Sequence, residues 1–213
     1  MREVDQLLLS NRAWAAEMLA ENPEFFNRNI NWQRPVFLWI GCSDSRVAPD
    51  QMTQAVPGGL FVHRNIANLV YPDDRNLMAV LHYAINVLEV SHVVICGHYG
   101  CGGIQAALDG AAPDGPIAHW LEHARQVLDD HRPEIMALPE GEARVNRMVE
   151  VNVRDQLLHL ARTGPVQAAF AAGRELTLHG WVYDLRDGHI KPLMRITPET
   201  VLDEVPKPER VLL

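Results

Sequence analysis

The chain has 213 residues, 47% of them hydrophobic and 22% charged, and a formal charge of −8. That length suits one domain whose core needs no disulfide staples. The acidic balance disfavours nucleic acid, which requires clustered Lys and Arg, and no apolar run approaches the roughly 20 residues of a membrane span, so neither partner is expected. The opening MREVDQLLLSNRAWAAEMLA lacks the basic start, apolar middle and small-residue cleavage site of a secretory signal. A cytoplasmic location is therefore expected. Cys42, Cys96 and Cys101 are odd in number and too few for a disulfide framework, which leaves thiol or metal-ligand roles.

Good helix formers predict a helical lead-in over residues 3–22, stopped by Asn22-Pro23. Residues 36–40 form a short apolar run between Pro35 and Gly41 and read as a buried strand, with Cys42 at its C-terminal end. Residues 60–64 and 93–96 read as two further strands. Between them Leu77, Leu81, Ala84, Ile85 and Leu88 recur at helical spacing, so strand, helix and strand predict a parallel crossover. A short helix is expected over 104–108, another along Ile117, Trp120, Leu121, Ala124 and Leu128, and two more over 143–162 and 165–172. Residues 176–184 alternate as a strand, and Asp187-Gly188 turns into a last strand over 190–196. The expected fold is α/β: a mostly parallel central sheet with flanking helices, an antiparallel edge strand and a helical N-terminus.

Ligand crevices of open α/β sheets lie beyond the C-terminal ends of the strands, and both chemically loaded segments fall there. GCSDSRV, residues 41–47, follows the first strand, and GHYGCGG, residues 97–103, follows the third. His98-x-x-Cys101 lets an imidazole and a thiolate converge on one ion, and Cys42 from the other strand end completes a Cys2His set with an open fourth position, as catalytic zinc sites have. Cys96 lies inside the apolar run VVIC and is assigned to the core.

CxDxR after an apolar strand, with HxxC in a glycine-rich turn further on, resembles the β-class carbonic anhydrases of bacterial type. The resemblance extends through ENPEFF, WIGCSDSRVAPD, PGGLFVHRNIANLV, VLEVSHVVICGHYGCGG and LHGWVYD. It implies one domain over 1–213, with a helical arm at 1–34, an α/β core at 35–200 and a tail at 201–213. It also implies reversible hydration of carbon dioxide by zinc-bound hydroxide, on one Zn2+ per subunit held by Cys42, His98 and Cys101. Asp44 and Arg46 match the family's carboxylate–guanidinium pair. The carboxylate would orient the nucleophile, the guanidinium would restrain it, and in a closed state Asp44 itself would take the fourth metal position. Two thiolates cancel the dication's charge, so activity should favour alkaline pH.

The sequence further resembles the bicarbonate-regulated subtype, whose noncatalytic bicarbonate site falls here on Trp39, Arg64 and Tyr183. Val47 and the backbone N–H of Gly102 are implied to line the substrate pocket, and Gln33 to reach it from a partner subunit. A homodimer or homotetramer follows from the same resemblance. His63, His82, His92, His119 and His123 receive no role, because a lone imidazole usually has none.

Three rival readings can be weighed. A Cys42 nucleophile with Arg46 cradling phosphate has too short a Cys-to-Arg spacing, and Asp44 would repel the anion. A purely structural zinc would close its fourth position. Hydrolysis of carbon disulfide or carbonyl sulfide on the same fold uses the same ligands, and sequence leaves that alternative open.

Overall fold

The computed structural model describes residues 2–110 and 114–211. They form two compact units that divide between Arg34 and Pro35. In the first, helix α1 (Glu3–Glu21) buries none of its residues. Leu7, Leu8 and Leu19 are exposed, while Trp14 meets Phe25 and Phe26 edge-on at 6.2 and 5.5 Å.

The second unit is built on a five-stranded sheet of order β2-β1-β3-β4-β5. Its opening strand, β1 (Phe37–Cys42), leads to helix α2 (Pro49–Thr53), β2 (Leu60–Asn65) and helix α3 (Arg75–Asn86). Asp74 starts α3 by accepting from the backbone N–H groups of Asn76 and Leu77. After β3 (His92–His98) come helices α4 (Gly102–Asp109), α5 (Pro116–Trp120), α6 (Glu122–Met136), α7 (Glu142–Ala161) and α8 (Gly164–Ala171), then β4 (Thr177–Tyr183) and β5 (Ile190–Ile196). β1 pairs in parallel with both β2 and β3, β3 pairs in parallel with β4, and only β5 runs antiparallel.

The two faces of the sheet differ. α7, buried along nearly its whole length, packs on β3 and β4 and anchors the main core. The opposite face carries a small cluster of Trp39, Val94 and Cys96, fringed by half-buried Phe37, Trp181, Tyr183 and Ile190. Cys96 is therefore buried as expected, but on this second face rather than in the main core. Burial pushes its thiol pKa far up and keeps it protonated.

Two details depart from the expected elements. The third strand runs longer, so His98 is the last residue of β3 rather than a residue beyond it, whereas Cys42 ends β1 as expected. The single helix expected across residues 117–128 is two, meeting at Leu121. The Trp120 indole N–H donates to the Ile66 carbonyl at 2.9 Å, which ties the end of α5 to another segment while buried Leu121 begins a new direction.

Candidate metal centre and active site

The parallel register sets the site. Gly41 of β1 lies opposite Cys96 of β3, so Cys42 and His98 leave neighbouring strands at the same edge of the sheet. Gly100 turns the chain with a φ of +66°, a conformation glycine adopts without strain. Cys101 then falls at the N-cap of α4. All three side chains are buried, and their donor atoms lie within 4.8 Å of one another.

The two sulfurs are 3.9 Å apart. Sulfurs bound tetrahedrally at about 2.3 Å from one ion would stand about 3.8 Å apart. His98 Nδ1 donates to the Tyr99 carbonyl at 3.1 Å. That bond places the proton on Nδ1 and leaves the Nε2 lone pair free. Nε2 is buried without a hydrogen-bond partner, an arrangement that is costly unless an electron-pair acceptor occupies the space before it.

The thiols are prepared in the same sense. Cys42 is held low, to about 4, chiefly by its bond with Cys101, helped by His98 and by the backbone N–H groups of Asp44 and Ala67. Cys101 is raised well above the ordinary range by its bond to Cys42 and by burial, although the Ile104 and Gly103 amides favour its thiolate. The pair shares one proton because adjacent thiolates repel, and a dication relieves that repulsion. The donor set thus fits a tetrahedral metal ion.

Beside the trio stands Asp44. Arg46 grips it with Nε on Oδ1 at 2.9 Å and Nη2 on Oδ2 at 2.7 Å, and the Arg46 backbone N–H adds a third bond to Oδ1 at 2.9 Å. Those bonds hold the carboxyl well below the usual carboxylate range. Asp44 Oδ2 lies 3.8 Å from His98 Nε2. Arg46 also donates to the Gly100 carbonyl at 3.3 Å, linking the two loops.

Arg64 braces the first loop from β2, donating to the Cys42 carbonyl at 2.8 Å and the Asp44 carbonyl at 2.6 Å. Trp39 and Tyr183 pack on the same small cluster. A Cβ at Gly41 would come 2.7 Å from the Trp39 indole nitrogen, so the indole lies over that glycine. Val47 is buried, and its N–H donates to the Asp44 carbonyl at 3.1 Å. Gly102 opens α4, and its amide is among those that a helix leaves without an internal partner. Gln33 lies in the first unit and is exposed.

Ala67 escaped the sequence reading. It is fully buried at a φ of +65° and turns its N–H toward Cys42. The apolar stretch NIANLV gives no sign of that turn.

A family model described as carbonic anhydrase matches residues 37–190. The chain belongs to the β-class carbonic anhydrase family. It is 42% identical to a carbonic anhydrase of Emericella nidulans over 89% of this chain and 82% of that protein. It is 41% identical to one of Pseudomonas aeruginosa over 80% of this chain and 78% of that protein. The fold matches the Coccomyxa β-carbonic anhydrase with a TM-score of 0.88 at 36% identity, covering 92% of this chain and 89% of that one. A tetrameric β-carbonic anhydrase of Sordaria macrospora gives the same score at 38% identity, over 91% and 98%. Among these residues of a β-carbonic anhydrase, Cys42, Asp44, Arg46, His98 and Cys101 all fall inside the matched span, and Gln33 falls outside it.

Proposed function

We propose that this protein hydrates carbon dioxide reversibly to bicarbonate and a proton, using one zinc ion per subunit held by Cys42, His98 and Cys101. The observation that carries the reading is the unpartnered Nε2 of buried His98, set with two thiols beside an Arg46-restrained carboxylate. Zinc, when bound, would lower the pKa of a water so that it reacts as a nucleophile. Asp44, kept ionised by Arg46, accepts a hydrogen bond from the reacting water and so directs its lone pair at carbon dioxide. The apolar side chain of Val47 and the Gly102 N–H offer carbon dioxide one apolar and one polar contact. Gln33 would contribute from a partner subunit.

The test is stopped-flow hydration on protein of known zinc content, from mildly acidic to alkaline pH, with carbonyl sulfide and carbon disulfide assayed alongside. Fast hydration rising with pH, at one zinc per chain, supports the reading. Zinc-loaded protein that hydrates nothing at any pH sinks it, and turnover of the sulfur analogues alone would move the chemistry to them.

The same geometry supports a gate. Release of Asp44 from Arg46 would free a carboxylate whose Oδ2 already lies 3.8 Å from His98 Nε2, and occupation of the metal by Asp44 would shut the site. Bicarbonate drawn to a site of Trp39, Arg64 and Tyr183 would compete for the guanidinium that now braces the Cys42 and Asp44 carbonyls. Loss of that brace would loosen the loop carrying Asp44 and favour the closed form.

Exposed apolar residues of α1 and the apolar fringe of the second sheet face support a homodimer or homotetramer, as in the tetrameric Sordaria relative. Sedimentation would test it. Three free cysteines suit a cytoplasmic location, where thiols stay reduced, and cell fractionation would check that placement.

A further inference from the structure

Buried on α7, far along the chain from both metal-binding loops, Glu150 is only 1% exposed. Its carboxylate accepts three hydrogen bonds: from the Tyr99 hydroxyl at 2.9 Å, the Arg147 guanidinium at 2.8 Å and the Val211 backbone N–H at 3.1 Å. Tyr99 is itself buried, and its carbonyl is the one that holds His98 Nδ1. One turn earlier on α7, Asn146 accepts from the Gly100 backbone N–H at 3.4 Å. α7 therefore grips the His98–Cys101 turn at two successive residues.

The C-terminal segment closes this arrangement from the far side. Arg147 Nη1 bonds the Pro208 carbonyl at 2.9 Å as well as Glu150, while Arg154 reaches the Val205 and Pro206 carbonyls at 2.7 and 3.2 Å. Lys207 pairs with Glu134 at 3.3 Å. A buried carboxylate is costly unless its oxygens are satisfied. Glu150 meets that condition with Tyr99 on Oε1 and Arg147 on Oε2, and the strap adds the Val211 N–H as a second donor to Oε1.

We propose that Glu150, sealed by the C-terminal strap, is a positioning residue for the metal centre: it fixes Tyr99, and through the Tyr99 carbonyl it sets the orientation of the His98 imidazole. The inference rests on the metal-site reading above. Partners one step beyond a metal's ligands typically change its affinity by roughly 10- to 100-fold, and Glu150 acts one step further out.

The test compares zinc-loaded wild type with Tyr99→Phe, which removes only the hydroxyl, and Arg147→Met, which frees both Glu150 and Pro208. Zinc loss to a chelator is timed, and the visible spectrum of the cobalt-substituted protein is recorded. Both variants should release zinc about tenfold faster and shift the cobalt bands. Ile85→Val, a core change on α3 away from this network, controls for general loosening. Release and spectra equal to wild type in Tyr99→Phe would overturn the proposal, as would an equal acceleration in Ile85→Val. A wild type that binds no zinc would instead remove the metal-site reading itself.

Discussion

Arg46 holds both carboxylate oxygens of Asp44, at 2.9 and 2.7 Å, from only two residues along the chain. Lysine cannot reproduce this two-point grip. Arg46→Lys should therefore lower kcat/KM about tenfold while zinc content stays near one per chain. Asp44→Asn, which removes the acceptor itself, should cost roughly 100-fold or more. Stopped-flow hydration paired with metal analysis reads both, and an Arg46→Lys enzyme as fast as wild type would remove the restraining role.

Cys101 supplies one of two thiols to the trio. Cys101→Ala should lose zinc on dialysis and fall to background hydration, and added zinc should not restore it. Full activity in Cys101→Ala would place the metal, and the chemistry, elsewhere.

Bicarbonate should inhibit wild type and leave Trp39→Phe much less affected, and the wild-type rate should climb steeply with pH. Equal inhibition of both proteins with a gradual pH profile would count against the regulatory site and leave the catalytic reading intact.

Gly41 gives a purely steric expectation. A methyl group there would meet the Trp39 indole nitrogen at 2.7 Å, and that ring is buried against Trp181 at 5.9 Å between centroids. Gly41→Ala should destabilise the fold by about 1–3 kcal/mol. The loss should shrink in a Trp39→Phe background, as urea melts of the double-mutant cycle would show.

Asp184 tests linkage away from the metal. It is 1% exposed and bound by Arg186 and Lys191, and Arg186 above all holds its pKa well below the usual carboxylate range. A depressed folded-state pKa stabilises the fold fully above the unfolded value, near 4, and that contribution disappears as pH falls through the folded value. Asp184→Asn should thus cost about 2 kcal/mol at pH 7, and its deficit should shrink steadily in melts taken below pH 4. A deficit independent of pH would argue for packing rather than charge.

The ligand trio was legible because its parts are local: a cysteine ending one apolar run, and His98-x-x-Cys101 following another between glycines. Parallel pairing then brings the strand ends together, as the sheet does. The Asp44–Arg46 pair was legible for the same reason, being two residues apart. What stayed hidden is tertiary. Tyr99 and Glu150 are 51 residues apart, and nothing in the helical pattern of α7 marks Glu150 as a hydrogen-bond partner rather than a solvated charge. The break at Leu121 was hidden too, since apolar spacing continues across it and only the Trp120 bond to the Ile66 carbonyl reveals the change of course. Gln33, read from resemblance alone, lies outside the unit that carries the other site residues.

The pairing of β1 with β3 also limits how such a centre can change. Side chains alternate faces along a strand, so a shift of one residue in that pairing would turn Cys42 away from the face that it shares with Leu38 and Ile40, and so away from Cys101 in the same cluster. A one-residue insertion or deletion within β1 would therefore part Cys42 from Cys101, whereas one in the loop beyond Arg46 would leave the strand pairing as it is. The alignment of the sheet, more than any loop, keeps the trio together.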